Sequence, residues 1–125
     1  MTHRWPIRVY YEDTDLAGIV YYANYLKFIE RARSEWVRTL GVDQVALKEQ
    51  GVVFAVRRVE ADYISPAKFD DVLTIETEMV SKTAARLILD QLVLRVGGEL
   101  FRARVTLVAL TPDGRPTRLP KGAFD

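Results

Sequence analysis

Cysteine is absent from the 125 residues, and histidine occurs once, as His3. The first absence removes disulfides, thiolate nucleophiles and cysteine metal sites. The second removes Ser-His-Asp triads, Cys-His pairs and multi-histidine zinc centres. No uninterrupted apolar run is long enough to cross a bilayer, and the opening MTHRWPIRVYYEDTD has charge and proline where a signal peptide carries its apolar segment. A cytoplasmic protein is expected. Excess charge is missing too: the formal net charge is +1, which points to neither nucleic acid nor an acidic membrane face as the main partner. The chemistry left is that of carboxylates, hydroxyls and backbone dipoles, with no metal and no cofactor expected.

The chain length suits one domain, expected over residues 1–125, and a hydrophobic fraction of 49% beside 28% charge is that of an ordinary globular protein. Residues 7–11 (IRVYY) read as a first strand, and 12–18 (EDTDLAG) as a loop. Then Tyr22, Tyr25, Leu26, Ile29, Ala32, Trp36, Val37 and Leu40 recur near a 3.6-residue period, which predicts one long amphipathic helix, with Gly41 just past its end. A short helix is expected over 43–49. After Gly51 the period changes to two. Strands are expected over 52–64, 72–80, 86–96 and 100–110, with Gly97-Gly98 as a hairpin turn and the tail as loop. One strand, a long helix and four further strands with short connections predict an α+β fold, an antiparallel sheet with the helix packed on one face.

The conspicuous chemistry lies at the first strand-to-helix connection, where Glu12, Asp13 and Asp15 sit within four positions just before the helix. A helix start offers unpaired N–H groups and a positive dipole end, able to polarise a carbonyl that gains negative charge. A carboxylate beside it is sufficient for ester or thioester hydrolysis without histidine. The same acids also fit plain helix capping. Gly18 has two readings as well, a positive φ in a tight turn or room for a ligand near the backbone. For Tyr22 and Tyr25 the competing reading is packing between helix and sheet. A calcium loop does not fit, because the acid run is too short and Ile19-Val20 follow it.

The run VYYEDTDLAGIVYYANYLKFIERARSEW, residues 9–36, resembles the signature of hotdog-fold thioesterases related to 4-hydroxybenzoyl-CoA thioesterase. It is most similar to the branch of bacterial acyl-CoA thioesterases associated with the Tol-Pal envelope system. The similarity continues through GVVFAVRRVEADYISPAKFDDVLTIET and the SK segment. The resemblance implies a curved sheet of about five strands wrapped around the long helix, and hydrolysis of acyl-CoA to free acid and CoA. It places catalysis on Asp15, as nucleophile or general base, and on the Tyr22 backbone N–H as polariser of the thioester carbonyl. It implies substrate contacts at Gly18, Val20 and Tyr25, and a homodimer or tetramer, with an acyl carrier protein or an envelope complex as further partners. Among the bases available for CoA phosphates, Arg57, Arg58, Lys68, Lys82, Arg86, Arg115 and Arg118, Lys82 is the first choice. One departure stands out: Tyr22 occupies a position where the Tol-Pal branch commonly has histidine and the 4-hydroxybenzoyl-CoA branch an aromatic. The alternative function is a non-catalytic acyl-CoA or acyl-carrier binding module, which free-thiol release distinguishes from an enzyme.

Overall fold

The computed structural model describes residues 2–124. The elements run β1 (His3–Arg8), a single 3₁₀ turn (Tyr11–Asp13), α1 (Asn24–Thr39), α2 (Gln44–Glu49), β2 (Val53–Tyr63), β3 (Val72–Lys82), β4 (Arg86–Arg95) and β5 (Gly98–Leu110). The strands form one antiparallel sheet in the order β1-β3-β4-β5-β2. α1 lies over β1, β3 and β4. This is the α+β hotdog arrangement that the resemblance implied.

The inner face of the sheet follows the two-residue period. Leu73 and Ile75 on β3, Leu87, Leu89 and Val93 on β4, and Phe101, Val105 and Leu107 on β5 are buried against Tyr25, Phe28, Ile29, Ala32, Trp36 and Val37 of α1. Two polar side chains share this core, Thr77 and Gln91. The Gln91 Nε2 donates to the Ile29 carbonyl and to Thr77 Oγ1, 2.9 Å each, and its Oε1 accepts from Arg33 Nη1 at 3.1 Å. One glutamine thus ties the helix backbone, a helix arginine and β3 together.

The boundaries differ from the sequence expectation in instructive ways. β1 lies over His3–Arg8 rather than 7–11. It holds Pro6 without penalty because it is an edge strand, and it ends where Asp13 Oδ2 accepts the Tyr10 N–H at 2.8 Å and closes the 3₁₀ turn. α1 begins at Asn24, so Tyr22 precedes the helix, and Leu26 is exposed rather than part of the apolar stripe. Gly41, at φ +75°, takes the left-handed position past the helix end as expected. The tail contributes core: Phe124 is buried and stacks on Trp36.

The connection from β2 to β3 is pinned by Asp71. Its Oδ2 accepts from the Lys68 N–H at 2.9 Å and from Arg95 Nη1 at 2.6 Å, and its carbonyl accepts from the Val9 N–H. Burial pushes the Asp71 carboxyl up, but the Lys68 N–H and Arg95 outweigh burial and hold it below the ordinary carboxylate range. A carboxylate with a lowered folded pKa contributes stability that is complete above its unfolded pKa, about 4, and is lost as pH falls through the folded value. Thermal midpoints of wild type and Asp71→Asn measured against pH are therefore expected to differ at neutral pH and to converge as pH drops below about 4.

Candidate active site

Residues 14–20 form a small hairpin. Thr14 and Val20 bridge, the Asp15 N–H donates to the Ile19 carbonyl at 2.9 Å, and the Gly18 N–H donates to the Asp15 carbonyl at 2.9 Å. The turn requires φ +80° at Gly18, and an added Cβ there meets nothing within 4 Å. The backbone conformation is therefore what glycine supplies to this chain. Asp15 Oδ1 accepts the Ala17 N–H at 2.9 Å, an Asx turn that fixes the side chain. Its Oδ2 accepts no hydrogen bond from the described residues, and the residue is exposed.

The neighbouring acids do other work. Asp13 is buried, with Oδ2 bound to the Tyr10 N–H. Its carbonyl accepts both the Tyr21 N–H and Asn24 Nδ2 at 2.9 Å, which anchors the entry to α1. The three acids do not converge on one point; Asp13 is structural and Asp15 faces solvent.

At the helix entry the Asn24 N–H returns to the Tyr21 carbonyl at 2.8 Å. The N–H groups of Tyr22 and Ala23, just ahead of α1, donate no hydrogen bond among the described residues. The Tyr21 phenol is held above its ordinary pKa first by its interaction with the Tyr22 hydroxyl, and the negative charge of Asp15 adds to that.

Beside this entry is an apolar groove of about 330 Å³, lined by Ile19, Val20, Tyr22, Tyr25, Tyr63, Ile64, Ser65 and Pro66. Tyr25 forms its floor. Its ring stacks on Phe101 at 4.9 Å, its hydroxyl accepts the Ala67 N–H at 3.0 Å, and it is 3% exposed. Ala67 in turn accepts the Val20 N–H, so helix, hairpin and the 64–71 connection meet at one buried alanine. Tyr63 forms the wall, with its hydroxyl donating to the Tyr22 carbonyl at 2.9 Å.

Of the residues singled out in the sequence, Val20, Tyr22 and Tyr25 line one groove, and Asp15 and Gly18 sit on the hairpin that borders it. Lys82 does not join them within the chain. It ends β3 opposite Leu87, whereas Tyr63 stands in the row of Phe101, Val93 and Ile75. That separation is seven positions along the sheet, roughly 20 Å. Tyr63, Ile64 and Pro66 were missed by the motif reading. Their signal was an aromatic residue closing a long β run immediately before Ser65-Pro66.

A larger depression of about 500 Å³ lies around Glu60, Asp62, Glu78, Asp90, Arg102 and Arg104. Within it Arg104 donates to both Asp90 oxygens at 2.8 and 2.9 Å, and that bonding holds Asp90 below the ordinary carboxylate range. Its lining comes from β2, β3, β4 and β5 alone, with nothing from the 14–25 segment.

Residues 9–123 match the family model described as the Thioesterase-like superfamily. The chain is 42% identical over 120 residues to the acyl-CoA thioester hydrolase YbgC of Escherichia coli, covering 94% of this chain and 90% of that one. It is 43% identical over 120 residues to the acyl-CoA thioesterase YbgC of Haemophilus influenzae, covering 94% and 88%. A probable thioesterase from Bartonella henselae superposes with a TM-score of 0.90 at 37% identity, covering 96% of this chain and 100% of the other. A 4-hydroxybenzoyl-CoA thioesterase mutant complexed with 4-hydroxybenzoyl-CoA superposes at 0.90 with 25% identity, covering 98% and 95%. With the family match spanning nearly the whole chain, and relatives aligned over nine-tenths of it, this chain belongs to the thioesterase-like superfamily of hotdog-fold acyl-CoA thioesterases.

Proposed function

We propose that this chain, acting as one domain, hydrolyses acyl-CoA thioesters to the free acid and CoA, with Asp15 and the Tyr22 N–H on either side of the thioester carbonyl. The observation that carries the site assignment is local. A fixed carboxylate with one unengaged oxygen, a helix entry with unengaged N–H groups and an apolar groove all meet along the 14–25 segment. The acyl group lies in the groove against Val20 and Tyr25, and the carbonyl oxygen takes the Tyr22 N–H. Asp15 Oδ2 then attacks the carbonyl carbon, giving a mixed anhydride that water cleaves, or it takes a proton from an attacking water. In either role the C–S bond breaks with its electron pair on sulfur, and CoA leaves as the thiolate. Gly18 supports this site through the turn that sets Asp15. Gly18→Ala places an L residue at φ +80°, a strain of about 1–2 kcal/mol, and is expected to lower kcat several-fold with a thermal midpoint only a few degrees down.

The working unit is proposed to be a homodimer joined edge to edge through β2, with tetramers built from it. β2 is a long edge strand, and Val56, Val59 and Tyr63 on its inner face are exposed because α1 lies over β1, β3 and β4 and leaves this edge uncovered. Pairing two β2 edges antiparallel reverses one sheet against the other. The partner's Lys82 end then comes toward this chain's Tyr63 end, which is how Lys82 would reach CoA phosphates. No helix among the described residues is long and apolar enough to cross a membrane. The cytoplasm is the proposed compartment because acyl-CoA is made and consumed there. Association with an acyl carrier protein or an envelope complex rests on family resemblance alone.

Free-thiol release from short-chain, long-chain and aromatic acyl-CoAs tests the activity. Turnover on at least one class is expected. Tight binding of acyl-CoA with no thiol released from any of them would make the chain a binding module instead.

A further inference from the structure

We propose that Tyr63, through its hydroxyl, is a positioning residue for thioester hydrolysis, holding the backbone at Tyr22 where the carbonyl of the substrate is polarised. The inference rests on the reading of the Tyr22 N–H given above.

The peptide that enters α1 is held at two successive carbonyls. Tyr21 O accepts the Asn24 N–H, and Tyr22 O accepts the Tyr63 hydroxyl at 2.9 Å from the far end of β2, 41 positions away in sequence. The first contact is the ordinary closure of a turn. The second is not required by the helix, because a residue outside α1 supplies it from the sheet. Bonding at a carbonyl withdraws electron density from the amide it belongs to, so donors at Tyr21 O and Tyr22 O strengthen the N–H groups of Tyr22 and Ala23 respectively. Neither N–H is engaged among the described residues.

The Tyr63 ring is held by packing that does not depend on its hydroxyl. It meets Phe101 edge-on at 5.0 Å, Tyr25 at 5.6 Å and Tyr22 at 6.3 Å. The hydroxyl is therefore delivered to Tyr22 O by a rigid aromatic cluster, the kind of support that keeps a donor array aligned during reaction. Partial burial, with Tyr22 and Tyr25 nearby, raises the Tyr63 phenol above its ordinary pKa.

Tyr63→Phe removes the hydroxyl and keeps the ring. Steady-state hydrolysis of one acyl-CoA accepted by wild type, with thermal midpoints for both proteins, is the test. The expected result is a kcat about fivefold lower with KM and midpoint unchanged, well short of the ~10²–10³ lost when an oxyanion donor itself is deleted. Equal kcat in the two proteins overturns the proposal, and so does a kcat loss matched by a fall in the midpoint, which marks a structural residue. Equal kcat in an active enzyme leaves the hydrolase assignment standing. An inactive wild type removes that assignment and this proposal with it.

Discussion

Asp15→Asn is expected to lower kcat for acyl-CoA hydrolysis by about 10³-fold or more while the protein stays folded and still binds its substrate. The substitution is close to isosteric, and the new amide keeps an oxygen where Oδ1 accepts the Ala17 N–H, so the Asx turn and the hairpin above it survive. What is lost is the negative oxygen that accepts nothing from the described residues. An amide has neither the charge to attack a thioester nor the basicity to take a proton from water. kcat and kcat/KM should fall together, because the lost interaction belongs to the transition state rather than to ground-state binding. Asp13→Asn gives the contrast. It touches a buried turn rather than the reaction, and its effect should be read in the thermal midpoint. Comparable hydrolysis by wild type and Asp15→Asn would move the chemistry to another residue.

The largest expected effect on stability is at Gln91. Gln91→Ala leaves the Thr77 hydroxyl in the core without its donor and the Arg33 guanidinium without its acceptor, and removes a side chain that is fully buried. Arg33 is already pulled below its ordinary pKa by burial, with the nearby negative charge of Glu30 only partly offsetting that, so it has little to spare. Stranding such groups and opening a cavity together cost about 3 kcal/mol, or roughly 10 °C in the midpoint of a domain this size. Gln91→Met fills most of the cavity but not the hydrogen bonds, and should recover only the packing share. Midpoints for both variants separate the two contributions, and a Gln91→Ala shift below about 3 °C would show the network to be dispensable.

How the sequence foretold the fold depends on where side-chain periodicity had something to report. Leu73, Ile75 and Thr77 alternate with Thr74, Glu76 and Glu78, and Phe28, Ile29, Ala32 and Trp36 share one helix face, so the sheet and α1 were readable from spacing. The start of α1 was not. Tyr22 fits the helical period, yet the backbone is claimed by Asp13 O, which accepts from both Tyr21 and Asn24, and the helix waits two residues. Phe124 was lost among the loop-forming residues of the tail, since a single aromatic has no period.

The site divides in the same way. Asp15, Gly18, Val20, Tyr22 and Tyr25 lie within eleven consecutive positions, and a contiguous motif makes them visible. Tyr63 reaches the Tyr22 carbonyl across 41 positions, through register that only the folded sheet defines. Lys82 carries the right charge, but a basic residue in sequence has no address in space, and within this chain it lies at the other end of the sheet.

The most direct test of the account is a structure of Asp15→Asn with an acyl-CoA bound. The thioester carbonyl oxygen should lie about 2.7–3.1 Å from the Tyr22 nitrogen, with residue 15 facing the carbonyl carbon and the acyl group against Val20 and Tyr25. An acyl-CoA whose thioester lies away from the 14–25 segment would contradict it.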